Sequence, residues 1–61
     1  MKKVAEMLVA EMVRRGVVCK VECFPGEGYN LRVFRLADTF PAEEVAREYK
    51  AKFGLDICVA F

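Results

Sequence analysis

Three cysteines are the residues of this chain whose spacing first suggests a chemical site. Cys19 and Cys23 lie four residues apart, and Cys58 lies close to the end of the 61-residue sequence. Such a set is compatible with zinc binding, with a disulfide, or with plain packing of small apolar side chains. The local pattern around each thiol decides among these three.

The segment around the first two thiols predicts a β-strand, with Cys19 and Cys23 on the same face as Val17 and Val21. Their Cα atoms would lie about 13 Å apart along a strand, whereas a disulfide needs at most about 7 Å. A closed zinc site would need a carboxylate or a second chain, because only three Cys and no His are present. We therefore expect packing roles for both, and neither a metal nor a cofactor.

Cys58 lies in a segment that alternates cleanly. Its apolar members Leu55, Ile57, Val59 and Phe61 should face the helices, with Cys58 on the other side of the sheet. We expect this thiol to be exposed or to lie at an interface. It could pair with the same residue of a second copy, because intracellular hyperthermophile proteins do carry disulfides.

Missing residue types argue against an enzyme. The chain has no Ser and no His, which excludes the usual nucleophile–base pairs. General acid–base work could use Glu22, Asp38 or Asp56, but no pattern in the sequence places two of them together. The loop at residues 25–28 joins two strands, whereas a phosphate-binding loop precedes a helix and carries Lys-Ser/Thr. We predict no catalytic activity.

Length and composition indicate one domain, residues 1–61. A chain this short hides only about 60% of the surface its unfolded form exposes, and a second subunit is one way to add a core. Hydrophobic residues make up 56% and the net charge is +1. A low content of Asn and Gln together with many charged residues is a bias of hyperthermophile proteins, so we expect a thermophile origin.

The N-terminal residues predict an amphipathic helix. Glu6 and Glu11 interrupt the apolar residues that follow Met-Lys-Lys, unlike a signal peptide. No apolar run approaches the ~20 residues of a membrane span. We expect a soluble, cytoplasmic protein with no membrane contact.

Helical periodicity predicts two helices. The first runs from about Lys2 to Arg15 and ends at Gly16, with an apolar stripe of Val4, Ala5, Leu8, Val9 and Met12. The second begins near Thr39 as N-cap and ends at Gly54. Its stripe consists of Ala42, Val45, Ala46, Tyr49 and Phe53.

Three strands are predicted, at 17–24, 29 to about 37, and 55–61. A three-residue loop joins the first two, with Gly28 in the left-handed conformation as its last member. This loop puts Cys23 opposite Leu31, Val21 opposite Val33, and Glu22 opposite Arg32.

The order αββαβ predicts an α+β two-layer sandwich, with two helices on one face of a three-stranded sheet. The layout resembles the split βαβ arrangement of ferredoxin-like folds without its first strand. That resemblance concerns layout alone and implies no function.

The sheet face away from the helices then carries an apolar end, which predicts an interaction site. Its residues are Val18, Phe34, Leu36, Cys58 and Ala60. We expect a homo-oligomer or an unidentified protein partner there. Two alternatives stay open. A bulge could turn Phe34 inward, or the face could bind single-stranded nucleic acid through Lys20, Phe24, Tyr29, Arg32 and Arg35.

Overall fold

A computed structural model describes the backbone of residues 2–61 and the side chains of residues 3–61. Along the chain follow α1 (Lys2–Arg14), β1 (Cys19–Phe24), β2 (Gly28–Val33), α2 (Thr39–Phe53) and β3 (Ile57–Ala60). A 3-10 turn at Leu36–Asp38 precedes α2. The order of strands in the sheet is β1-β2-β3. The predicted α+β class and αββαβ order are confirmed.

The core lies between the two helices and one face of the sheet. Its buried members are Leu8, Met12, Val17, Tyr29, Leu31, Val33, Ala42, Val45 and Tyr49. Val21, Ile57 and Val59 pack against them at the margins. Most of the predicted core residues are therefore in place.

The predicted assignment of three apolar side chains to the core is wrong. Val9, Phe53 and Phe61 are 46%, 56% and 69% exposed. Val9 lies at the edge of the α1 stripe, and the ring of Phe53 meets only the edge of Tyr49, at 5.5 Å between centroids. Phe61 follows the last residue of β3, beyond the paired ladder.

The hairpin turn begins one residue earlier than expected. The Glu27 N–H donates to the Phe24 carbonyl at 2.8 Å, with Pro25 and then Gly26, at φ +80°, between them. Proline followed by a glycine of positive φ is the pattern of a type II turn. Gly28 also has positive φ, +108°, as predicted.

This turn shifts the register of β1 on β2 by two residues. The pairs are Cys23 with Tyr29, Val21 with Leu31, and Lys20 with Arg32, so the predicted pairs are wrong. A shift of two preserves the alternation of side chains. Each residue of β1 and β2 therefore keeps its predicted face.

Strand β2 ends at Val33, four residues earlier than expected. The chain bends at Phe34 and Arg35 and enters the 3-10 turn. Leu36 therefore lies off the sheet, and its assignment to a strand is wrong. Asp38 rather than Thr39 holds the N-cap position of α2, without a side-chain capping bond.

An ion-pair cluster ties the two helices together. Arg15 binds Glu11 of α1 and Glu48 of α2, each at 2.7 Å. Glu11 also binds Arg14 and accepts a bond from the Tyr49 hydroxyl at 3.5 Å. The hydrogen bonds from Arg15 and Arg14 lower the pKa of Glu11 to about 2, so its carboxylate stays charged at neutral pH.

Strands β2 and β3 are parallel and pair directly, which closes the β2–α2–β3 unit with no strand between them. The Tyr29 N–H donates to the Asp56 carbonyl at 2.9 Å at the start of the ladder. Gly28 permits this approach, because a Cβ there would lie 2.2 Å from the Asp56 oxygen.

Gly28→Ala should therefore destabilise the protein by about 1–3 kcal/mol, from positive φ and a steric clash with backbone. Gly26→Ala is the matched control. It shares the positive φ but has no atom within 4 Å of the new Cβ. Urea denaturation should show the larger loss for Gly28→Ala. Equal losses would mean that the contact with Asp56 is not a constraint.

Candidate interaction surface

Both helices pack on one face of the sheet and leave the other face open. Side chains alternate along a strand, and the odd-numbered strand residues meet the helices. The even-numbered residues of the strands form what we call the open face: Lys20, Glu22, Phe24, Asn30, Arg32, Cys58 and Ala60.

Polar side chains occupy the centre of the open face. Asn30 Nδ2 donates to Glu22 Oε1 at 2.8 Å, and Arg32 Nε lies 3.5 Å from the same oxygen. The bond from Asn30, followed by the charges of Arg32 and Lys20, lowers the pKa of Glu22. Lys20 and Arg32 are directly opposite, and such like-charge pairs are unfavourable. Glu22 partly offsets their repulsion.

A shallow hollow of about 510 Å³ runs across this face. Its lining consists of Phe24, Glu27, Tyr29, Asn30, Arg32, Cys58 and Ala60. Small-molecule sites bury most of their ligand in a cleft or cavity, whereas this hollow is wide and open. Its shape suits the surface of a macromolecule better than a small ligand.

Apolar residues lie at one end of the same sheet. Cys19 pairs with Val33, so Val18 before it and Phe34 after it flank that end of the ladder. Phe61 follows Ala60, which pairs with Arg32, and it reaches the same end. We call Val18, Phe34 and Phe61 the apolar end; they are 52%, 58% and 69% exposed.

The structure brings together four of the five predicted interface residues. Cys58 and Ala60 lie on the open face, with Cys58 exposed, and Val18 and Phe34 flank its end. The exposure of Phe34 argues against the alternative in which a bulge turns it inward. Leu36 is 72% exposed in the 3-10 turn. Phe61 was missed because strand alternation was extended one residue too far.

A buried carboxylate fixes the two connections at the apolar end. Asp38 is 6% exposed and accepts bonds from the Val18 N–H at 3.2 Å and from Arg35 Nε at 2.8 Å. Arg35 Nη2 also donates to the Gly16 carbonyl at 3.4 Å. Asp38 thus acts as a structural anchor, a role that sequence reasoning missed. The only signal was an Arg three residues before an Asp.

The three thiols are all free. Cys19 is half-buried against the core, as predicted, and burial followed by the charge of Asp38 raises its pKa. Cys23 is exposed, so its assignment as a packing residue is wrong; it lies near the hairpin turn, beyond the cover of the helices. Cys58 is exposed, as expected.

The residues proposed for nucleic-acid contact do not share one surface. Lys20, Phe24 and Arg32 lie on the open face, and Phe24 is 46% exposed. Tyr29 is 6% exposed in the core, so its use as a stacking platform is wrong. Arg35 lies beyond β2, with its guanidinium bound to Asp38, and contributes to the anchor.

Among the described residues, no group of three or more His, Cys, Asp or Glu side chains is placed to hold a metal ion. No helix within residues 2–61 is long and apolar enough to cross a membrane.

Comparisons of the chain with protein-family models, with curated proteins and with solved structures found no match. The surfaces themselves therefore carry the functional argument.

Asp38 should make stability depend on pH at the acid end. Arg35 and the Val18 N–H bind its charged form and lower its folded-state pKa. A lowered pKa contributes stability that is present above the unfolded value of about 4 and is lost as the pH falls through the folded value. The urea midpoint should fall less steeply in Asp38→Asn than in wild type, measured from about pH 6 to pH 2.

Asp56→Asn is the control for this titration. Its carboxylate binds Lys50 Nζ at 2.8 Å, but both side chains are mostly exposed. Solvent screens such a pair, so the acid slope should change little. If Asp56→Asn reduced the pH dependence of the urea midpoint as much as Asp38→Asn does, Asp38 would not be the anchor.

Proposed function

We propose that this chain is a small, non-enzymatic, intracellular interaction module of a thermophile that self-associates through the open face of its sheet. The observation that carries the proposal is the exposure of Val18, Phe34 and Phe61 at one end of the sheet. The composition, poor in amides and rich in charge, supports the thermophile origin.

The size of the apolar end suits an interface. An aromatic side chain has about 150–250 Å² to bury, and Phe34 and Phe61 are 58% and 69% exposed. Together with Val18 they approach the ~300–600 Å² of a functional apolar patch. A standard interface needs about 800 Å² per partner. The adjoining hollow supplies further area of mixed polarity.

Energetics favour a modest affinity. Burying a Val or Phe side chain is worth about 1.5–3 kcal/mol, and a two-fold axis uses every contact twice. Association costs an estimated 4–15 kcal/mol. Three apolar residues per copy thus support a weak dimer, and the polar centre decides whether it is tighter.

The polar centre is compatible with a second copy. It carries acids and bases side by side, with Lys20 and Arg32 beside Glu22 and with Glu27 at the rim of the hollow. A two-fold axis can set the basic side chains of one copy against the acids of the other. Such charge matching contributes more to specificity than to affinity.

Phe34→Glu should abolish association through the open face, because it places a charge in the buried part of the interface. Val13→Glu is the control, since Val13 is 70% exposed on α1, on the opposite side of the sheet. Sedimentation equilibrium at about 100 μM, where a contact of about −5.5 kcal/mol is half formed, should give a lower mass for Phe34→Glu only. Equal masses for wild type and Phe34→Glu would exclude this interface.

A second candidate is binding of single-stranded nucleic acid. It is favoured by the Lys20–Arg32 cross-strand pair, an unfavourable arrangement that an anionic ligand would relieve. The half-exposed ring of Phe24 lies on the same face and could stack on a base. The net charge of +1 argues against it.

Titration of a single-stranded RNA at several salt concentrations tests this candidate. Arg32→Ala should weaken binding and reduce the slope of log K against log salt by about 0.7, as for one lost phosphate contact. Lys52→Ala, at the end of α2, is the control and should change neither quantity. Binding that is insensitive to salt or to Arg32→Ala would eliminate this function.

A further inference from the structure

Strand β3 is an edge strand without the usual protection. Natural edges carry charges, prolines or bulges that prevent pairing with another chain. The sequence of β3 is Ile-Cys-Val-Ala, which contains no charged residue and no proline. Its short length of four residues is the one protective feature it has. The opposite edge, β1, carries Lys20 and Glu22. Strand addition is thus far better suited to β3.

The backbone groups that β3 offers can be assigned from its ladder. Tyr29 pairs with Ile57 in parallel register, and the Tyr29 N–H binds the Asp56 carbonyl. Hydrogen-bonding groups point alternately to the two sides of a strand. Those of even-numbered β3 residues therefore point toward β2, and the N–H and C=O groups of Ile57 and Val59 point outward.

A groove follows the same edge beneath α2. It has a volume of about 310 Å³ and is lined by Glu43, Ala46, Arg47, Ile57 and Val59. Ile57 and Val59 are only half-buried, so α2 leaves their outer sides uncovered. A neighbouring strand and helix would complete this part of the core.

Two charges on the groove have no partner among the described residues. Glu43 and Arg47 are spaced i,i+4 on α2, where an ion pair is expected. Neither makes an ion pair or a side-chain hydrogen bond to any described residue. Both are exposed, with the small Ala46 between them, so they can face charges on a closely packed second helix.

We propose that the β3 edge and its groove bind a second copy of this chain about a two-fold axis, with the two β3 strands antiparallel. The three-stranded sheets then join into one of six strands. The two α2 helices run antiparallel, so that Glu43 of each copy faces Arg47 of the other. One acid and one base on either side of a small residue form the self-complementary pattern that a two-fold interface requires.

The outward groups fix the register. Ile57 of one copy forms a hydrogen-bonded pair with Val59 of the second copy, and Val59 of the first copy forms one with Ile57 of the second. Cys58 then lies opposite Cys58 of the second copy in a non-hydrogen-bonded pair, with Cα atoms about 4.5 Å apart. That separation lies within the ~4.4–6.8 Å range of disulfides. The two thiols, both exposed in the monomer, thus report the register.

This interface is independent of the one through the open face. Its two-fold axis is perpendicular to the plane of the sheet, and none of its contacts involves Phe34. If both contacts form and their two-fold axes intersect at right angles, they generate a tetramer of dihedral symmetry. Each interface can be removed separately, so each can be tested in the absence of the other.

Thiol cross-linking tests the register in a Phe34→Glu, Cys23→Ser background, which removes both the open-face contact and the second exposed thiol. Diamide accepts the two electrons and two protons that two Cys58 thiols lose on forming a disulfide. At about 100 μM, we expect a covalent dimer that reductant reverses and that Cys58→Ser abolishes. Failure to form this dimer would overturn the proposed pairing.

Charge reversal tests the helix contact in the same background. Glu43→Arg and Arg47→Glu should each raise the dimer dissociation constant at least about tenfold, because each sets like charges against one another. An equimolar mixture of the two variants should restore association as a heterodimer. Glu44→Arg is the matched control on the same helix and should leave the constant unchanged.

The mixture gives the deciding outcome. Circular dichroism of each variant confirms that the exposed substitutions leave the fold intact. A mixture that associates no better than its separate components would refute the reciprocal Glu43–Arg47 contact. Because every variant carries Phe34→Glu, that result would leave the open-face proposal untouched.

Discussion

The pairing of β2 with a strand on each side is the constraint on which the rest of the structure depends. Tyr29, Leu31 and Val33 of this strand are buried, and they belong to the same core cluster as the buried side chains of both helices. Gly28 lets the strand begin close to the backbone of Asp56. Once β2 is held between an antiparallel and a parallel neighbour, the face of every other strand residue follows from alternation.

Two helices can cover only one face of this sheet, and that limit produces both candidate surfaces. α1 packs mainly over β1 and α2 mainly over β3, so neither helix covers the even-numbered strand residues of the open face. The same limit leaves the outer sides of Ile57 and Val59 half-covered beneath α2. The open face and the free edge thus both follow from the arrangement of the described residues, which place two helices on one face of a three-stranded sheet.

The sequence predicts what depends on local periodicity and misses what depends on distant partners. Leu8, Met12 and Cys58 lie where their periods place them, because a period of 3.6 or 2 decides the face without knowledge of the fold. The hairpin register was missed because Gly26 and Gly28 both allow positive φ. The sequence therefore allows a loop at residues 25–27 as well as the predicted one at 26–28, and the difference moves the register by two residues.

The end of β2 was missed for a different reason. Phe34 and Leu36 continue the apolar alternation, and nothing local stops the strand. The stop comes from Asp38, which binds the amide of Val18 across 20 positions of sequence, and no periodic pattern encodes such a contact. Glu48 likewise pairs with Arg15, just after the end of α1, and not with Lys52 one turn away, as helical spacing would suggest.

Exposed apolar residues and a marginal core are best understood together. In a single copy, Phe34 and Phe61 hold apolar surface in water and contribute little to stability, since no element of the described residues covers them. A ligand or partner that binds only the folded state stabilises it by mass action. In the proposed assembly, a second copy would bring the same patch and the same open edge in matching orientation, and symmetry would complete the features that one copy leaves incomplete. Folding and assembly would then be thermodynamically linked. The anchor at Asp38, which binds the amide of Val18 and the side chain of Arg35 beside Phe34, would serve both stability and recognition.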